Sequence, residues 1–187
     1  MNSEEIQHSL SVLRKGKTLL YPTDTVWGIG CDATNSSAVS KVYTIKKRSE
    51  SKSLIILVNS LEMLSNYIKN IPTRALDVIK SSKKPTTIIY DNPKGLAKNC
   101  IAIDDTIAIR IVKNDFCKAL IKEFGKPIVS TSANISGEQM PKSFSEIPTT
   151  ILDSVDYIVN LHQNKIANMS STILRITADD EIEVIRA

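Results

Sequence analysis

The run Pro127-Ile-Val-Ser-Thr-Ser-Ala-Asn-Ile-Ser-Gly137 decides the reading of this chain. Its opening residues are apolar and β-branched, the composition of a short buried strand. The strand then empties into a segment crowded with hydroxyl and carboxamide side chains, more than a polar turn needs. Just upstream, Asn114 or Asp115 opens a helix through Phe124 that Gly125 ends. Helix, strand and polar loop in that order are the repeating unit of an open α/β sheet, where ligand groups sit on loops leaving strand ends.

Working outward, the same alternation recurs. Ile6, Leu10 and Leu13 recur at helical spacing between Asn2 or Ser3 and Gly16. Further helices are predicted from Asn35 or Ser36 across Ala38, Val39, Val42 and Tyr43, and over Leu61 to Ile68, Pro72 to Lys80 and Ser145 to Leu152. Strands are predicted at Thr18 to Tyr21, Ser53 to Val58, Thr86 to Tyr90, Thr106 to Val112, Tyr157 to Asn160, Thr172 to Ile176 and Ile182 to Ile185. No internal repeat or linker interrupts them. The expectation is an α/β fold, an open twisted mixed sheet flanked by helices, forming one domain over residues 1–187.

Composition excludes several classes. With 187 residues, 42% of them hydrophobic and 24% charged, the chain is neither disordered nor fibrous. Cys31, Cys100 and Cys117 are odd in number and far apart, and only His8 and His162 could join them, which argues against a disulfide framework and a zinc site. No apolar run approaches the roughly 20 residues that cross a bilayer, and the first residues lack a signal-type core. A soluble cytoplasmic protein is expected. A net charge of +4 suits phosphate ligands or RNA without requiring either. Aromatic residues at 5% leave few platforms for stacking bases.

Three loops hold the chemistry: Pro22 to Gly30, Lys46 to Ser53, and Ser130 to Gly137. Gly28-Ile-Gly30-Cys-Asp-Ala33 has the form of a dinucleotide fingerprint, but Pro22-Thr-Asp-Thr parts it from the strand and no acid ends the next one. Its glycines are read as turning the chain. No phosphate-binding P-loop exists, and nothing ties either histidine to a nucleophile. Lys46 and Arg48 share a side only if the chain is extended, so the helix is expected to end near Ile45, leaving a two-pronged anion clamp. The alternative reading is a solvated helix end favoured by the macrodipole. Ser132 and Asn134 bear the same relation, a hydroxyl and a carboxamide suited to phosphate or ribose oxygens.

Taken together, Pro22-Thr-Asp-Thr-Val-Trp-Gly28, Lys46-Lys-Arg48 followed by Leu54-Ile-Ile-Leu-Val58, Asp105-Thr-Ile-Ala-Ile-Arg110 and Ser130-Thr-Ser-Ala-Asn-Ile-Ser-Gly137 resemble the YrdC-like family, the threonylcarbamoyl-adenylate synthases. The order and spacing match over roughly residues 10 to 186. The resemblance implies a YrdC-like fold with a large, positively charged concave cavity, without the additional C-terminal domain of longer relatives. It implies a nucleotidyltransferase that makes L-threonylcarbamoyl-adenylate from L-threonine, bicarbonate and ATP, releasing pyrophosphate. A tRNA threonylcarbamoyl-transferase complex would then modify the tRNA adenosine beside the anticodon.

By the same resemblance, Lys46, Arg48, Ser132 and Asn134 would be catalytic, cradling the ATP phosphates by positioning and charge. Thr106 and Arg186 would add ATP contacts. Thr23, Arg110 and Ser171 would form the threonine pocket, Arg110 taking the carboxylate in its planar fork. Mg²⁺ is expected with ATP, and no protein metal ligand is singled out; Asp24 is read as shaping its turn. The sequence departs from the family pattern at Trp27, Ser49, Lys52-Ser53, Lys83-Lys84-Pro85 and Ser170, changes that loosen loops rather than remove reacting groups. The alternative function is a non-catalytic RNA-binding protein that grips double-stranded RNA or tRNA with the same basic cavity.

Overall fold

The computed structural model describes residues 3–50, 53–166, 170–177 and 180–187. Asn2 and Lys52, named above, lie outside them. Nine strands follow the chain as β1 Leu19–Tyr21, β2 Gly28–Gly30, β3 Ile55–Val58, β4 Thr86–Asp91, β5 Thr106–Ile111, β6 Ile128–Ser132, β7 Tyr157–Ile158, β8 Thr172–Ile176 and β9 Ile182–Arg186. The helices are α1 Ser3–Arg14, α2 Ser36–Lys46, α3 Leu61–Tyr67, α4 Thr73–Ser81, α5 Asp115–Phe124 and α6 Thr149–Leu152. The strands form one sheet in the order β7-β1-β2-β6-β3-β5-β4-β8-β9. It is mixed: β3 and β5 run parallel, as do β4 with β8 and β1 with β7, while the remaining neighbours are antiparallel.

Alternate strand residues point to opposite faces. On one face, Ile56, Val58, Ile107, Ile109, Ile88 and Leu174 meet Val39 and Val42 of α2, Leu64 of α3 and Val78 of α4. On the other, Leu19, Tyr21, Leu57 and Ile128 are covered by Ile6, Leu10 and Leu13 of α1 and by Phe116 and Leu120 of α5. Those two helices cover only part of that face. Ile55 lies beside both Ala108 and Ser130, and Ile89 beside Ala108, so the rest of the face runs on past the helices as an open floor.

The local signals hold at the helix ends. Asn35 Oδ1 caps α2 by accepting from the Ala38 N–H, Asn114 Oδ1 caps α5 by accepting from the Cys117 N–H, and Gly125 closes α5 at φ 73°. Four expectations need correction. Gly28-Ile-Gly30 is a strand and not a turn: a Cβ on Gly30 would stand 2.2 Å from the Val129 carbonyl oxygen and 2.6 Å from a Tyr21 ring carbon, so the glycine permits strand packing that no side chain allows. Strand β6 continues through Ser132 because Thr131 and Ser132 pair with Ile29 and Gly28.

The helix α2 ends at Lys46, near Ile45 as expected, but the chain beyond it is not extended. Lys47 is left-handed at φ 48°, its N–H donates to Thr44 O, and the Arg48 N–H donates to Tyr43 O. That pairing closes a helix by a Schellman turn, so Lys46 and Arg48 meet across a reversal and not along an extended stretch. The last predicted helix is split by Pro148 into a 3₁₀ turn at Phe144–Glu146 and the short α6, because proline disfavours the helical conformation in the residue before it.

Candidate active site

The open part of the second sheet face is the floor of a cavity of about 330 Å³. Gly28, Ile55, Ala108, Ile89 and Ile173 form its base, and Arg48, Arg110, Ser130, Ser132, Ser171 and Arg186 supply polar groups around it. Gly28 keeps that base deep, since a Cβ there would approach Ser130 Oγ at 3.0 Å. Among the described lining residues the ionisable side chains are three arginines, and no carboxylate lines the cavity.

Lys46 and Asn134 stand behind the Ser132 rim. The Lys46 ammonium is 2% exposed and donates to the carbonyl oxygens of Ser132 (2.6 Å) and Asn134 (2.7 Å), and to Asn134 Oδ1 (3.3 Å). Three acceptors match its three donors, which is what makes so deep a charge tolerable. Burial, with the nearby Arg48 charge, brings its pKa down to about 8. Asn134 Oδ1 also accepts from Ser132 Oγ at 2.5 Å, while Nδ2 donates to Ile135 O and Glu138 O. The Ser136 N–H closes the cluster by donating to Lys46 O. The end of α2 and the end of β6 are thus one hydrogen-bonded unit, with Ser132 on its cavity side. Arg48 Nη2 donates to Ser53 O, which directs the guanidinium along the cavity wall.

Arg110 leaves β5 on the floor side, two residues after Ala108, and is 3% exposed. Its Nη2 lies 3.1 Å from Asp24 Oδ1 and 3.4 Å from Thr25 Oγ1, while its Nε is buried with no hydrogen-bond partner. Arg186, at the end of β9, is gripped by Ser171: Nε and Nη2 both donate to Ser171 O, and Nη2 also reaches Ser171 Oγ at 3.1 Å. Ser171 Oγ in turn accepts from Thr87 Oγ1. Partial burial, with the neighbouring Arg110 charge, lowers the Arg186 pKa.

Thr23 and Thr106 sit elsewhere. Thr23 Oγ1 donates to Val26 O and accepts from the Thr25 N–H, tying the Pro22–Trp27 turn together. It lines a second cavity, of about 490 Å³, with Trp27, Phe116 and Lys113. Thr25 and Val26 line both cavities, so this turn is the partition between them. Thr106 starts β5 on the same face as Ala108 and Arg110, but its hydroxyl donates to Asp104 Oδ1, and it does not line the 330 Å³ cavity.

Sequence reasoning passed over Ser130, Thr25 and Met140, which line the cavity, and read Asp24 only as a turn residue. For Ser130 and Ser132 the signal was present in the strand period, which puts both on the floor side once β6 is known to reach Ser132. For Met140 the chain holds no such signal, because it reaches the wall from an irregular segment. The described residues gather no group of three or more His, Cys, Asp or Glu side chains able to hold a metal. No helix among them is long and apolar enough to cross a membrane.

Comparison with known proteins bears on this arrangement. A Pseudoalteromonas translucida protein named threonylcarbamoyl-AMP synthase is 34% identical over 158 residues, covering 83% of this chain and 84% of its own. A doubly substituted P. abyssi Sua5 superposes with a TM-score of 0.90 at 26% identity, over 100% of this chain and 57% of that one. P. abyssi Sua5 complexed with L-threonine gives 0.83 at 28% identity, over 91% of this chain and 50% of that one. The chain therefore spans little more than half the length of that protein. The Sua5/YciO/YrdC profile, which carries the description telomere recombination, matches residues 11–187. By that match, running from α1 to the last residue, the chain belongs to the Sua5/YciO/YrdC family.

Proposed function

We propose that this chain is a threonylcarbamoyl-AMP synthase: an ATP-using nucleotidyltransferase of tRNA modification that joins L-threonine, bicarbonate and ATP with release of pyrophosphate. The observation that carries the proposal is the convergence of Arg48, Arg110 and Arg186 on one 330 Å³ cavity alongside Ser132 and Ser171. Three guanidinium groups with no lining carboxylate make a positively charged hollow suited to a triphosphate and an amino acid carboxylate together. The names of the relatives support the same reaction.

In this reading the threonine amine takes up the carbon of bicarbonate as a carbamate, with loss of water. A carbamate oxygen attacks the α-phosphorus, and the bond to the oxygen bridging to the β-phosphorus breaks to free pyrophosphate. Arg48 and Arg186 hold the phosphates and offset the charge that grows on the leaving group. Arg110 takes the threonine carboxylate, and Ser171 completes the amino acid side. The chain contributes position and fixed charge and forms no covalent intermediate. Lys46 and Asn134 hold Ser132 in place. Magnesium enters as the ATP complex, held by phosphate oxygens, since the lining offers arginine and hydroxyl groups rather than a carboxylate set.

Residues 1–187 are proposed to work as one unit, in the cytoplasm, and to pass the adenylate to a tRNA-modifying transferase. RNA binding is the disfavoured alternative, because a 330 Å³ hollow suits a nucleotide and not a duplex surface. The test is pyrophosphate release with Mg-ATP and bicarbonate, comparing threonine with serine, valine and no amino acid. Threonine-dependent release that Arg48→Ala weakens through a raised ATP KM is the expected result. A folded protein with no release above the amino-acid-free control would end the proposal, and RNA binding with its salt dependence would be measured next.

A further inference from the structure

The Asp24–Arg110 pair forms the wall between the two cavities. Asp24 lines the larger one and Arg110 the smaller. Their side chains are 8% and 3% exposed, and Asp24 Oδ1 lies 3.1 Å from Arg110 Nη2. The other carboxylate oxygen, Oδ2, accepts from the Lys113 N–H just past the end of β5. One carboxylate therefore pairs by charge with the arginine, Oδ1 accepting no hydrogen bond, and holds the backbone beyond its strand by a hydrogen bond.

Two features make this more than a structural ion pair. First, Asp24 occupies one side of the guanidinium and leaves Arg110 Nε buried without a partner. A buried donor in that condition is unfavourable, and an acceptor that reached it would relieve the cost. Second, Thr25 Oγ1 stands 3.4 Å from the same Nη2, so Asp24 and Thr25 together limit the rotation of the planar fork. Isolated, a buried guanidinium would turn to whatever acceptor relieved it. Paired with Asp24, its Nη2 faces the turn.

We propose that Asp24 is a positioning residue that orients Arg110 toward the carboxylate of the amino acid substrate. The inference rests on the synthase reading for the identity of that substrate. It assigns to the turn that divides the cavities a role in amino acid affinity and none in phosphate binding.

The experiment has three arms on the full chain. Steady-state pyrophosphate release gives KM separately for threonine and for ATP in wild type, Asp24→Asn, Asp24→Glu, Arg110→Ala and the double variant Asp24→Asn with Arg110→Ala. Calorimetric titration with L-threonine alone reads binding without chemistry. Thermal unfolding of each variant reads the fold.

The expected outcome is a threonine KM raised about tenfold or more in Asp24→Asn, ATP KM within about twofold of wild type, and partial recovery in Asp24→Glu. In the Arg110→Ala background, Asp24→Asn should change threonine affinity no further, because its effect passes through the arginine. Equal rises in both KM values, or additive effects in the double variant, would overturn the proposal. If Asp24→Asn fails to fold, Asp24→Glu decides: wild-type threonine affinity with a displaced carboxylate would count against it. If wild type releases no pyrophosphate but binds threonine, the synthase reading fails while titration of the variants still tests the pair. Wild type that neither reacts with nor binds threonine overturns both.

Discussion

The Lys46 ammonium and the Asn134 main-chain oxygen are 2.7 Å apart, joining the last residue of α2 to the loop that follows β6. Residues far apart in sequence meet here to build one rim of the cavity, and the strength of that rim can be measured. Replacing Lys46 by methionine keeps the apolar stem and deletes the donors to three acceptors. The expected cost is about 2–4 kcal/mol in denaturant unfolding, with threonine-dependent pyrophosphate release lost. Lys46→Met at wild-type stability would show that the ammonium is not a strut.

The same lysine should leave a mark on the pH dependence of stability. Its pKa falls from 10.5 in the unfolded chain to about 8 in the folded protein, so between those values the unfolded chain holds more protons. Stability from this group is lowest below about 8 and rises as the pH climbs through the window to 10.5. Subtracting the Lys46→Met stability curve from that of wild type should isolate a rise of at most about 1.4 kcal/mol per pH unit. A flat difference from pH 8 to 10.5 would contradict it.

Gly28 and Gly30 should respond very differently to alanine. A Cβ on Gly30 meets the Val129 main-chain oxygen at 2.2 Å, and backbone has nowhere to go; Gly30→Ala should cost about 3 kcal/mol or more. On Gly28 the nearest atom is Ser130 Oγ at 3.0 Å, a side-chain end that can swing away. Gly28→Ala should lose about 1 kcal/mol or less while raising the substrate KM by filling the floor. Thermal melts and kinetics on the pair give the comparison.

Cys31, Cys100 and Cys117 are fully buried, and burial pushes all three thiols up, Cys100 to about 12. A thiol held protonated is a poor nucleophile. An aromatic disulfide reagent at pH 8 should label none of the three in the native protein and all three in denaturant. Labelling of the native fold at a rate independent of denaturant would refute the burial argument.

Arg48→Ala tests the cavity wall without disturbing the core. The expected result is an ATP KM raised about tenfold with a melting temperature close to that of wild type. A threonine KM that rises in place of the ATP KM would reassign the arginine to the amino acid side.

Much of this architecture was legible in the chain because local chemistry and tertiary packing agree. Asn35, Asn114 and Gly125 read as helix ends and are helix ends. Legibility failed where packing overrides preference. Gly28-Ile-Gly30 has poor strand composition, yet it pairs on both sides because Tyr21 and Val129 need the space that side chains would take. The left-handed Lys47 was equally hidden, since a lysine carries no signal for a conformation usually given to glycine. In the site, Arg48 and Ser132 were recognisable from their neighbours, but the use of the Lys46 donors on main-chain oxygens could not be inferred. Backbone acceptors leave no trace in the identity of side chains.

The open sheet floor has one more consequence. In β5, Ile107 and Ile109 point to the helices that fold the protein, while Ala108 and Arg110 point to the cavity, and β3 and β4 divide their residues likewise. A slip of one position in that pairing would drive the arginine into the oily layer and turn isoleucines out into the hollow. Such a chain could neither settle nor bind. The alignment that makes the protein fold is the alignment that makes its site, so a molecule that has folded at all has already been proofread for function.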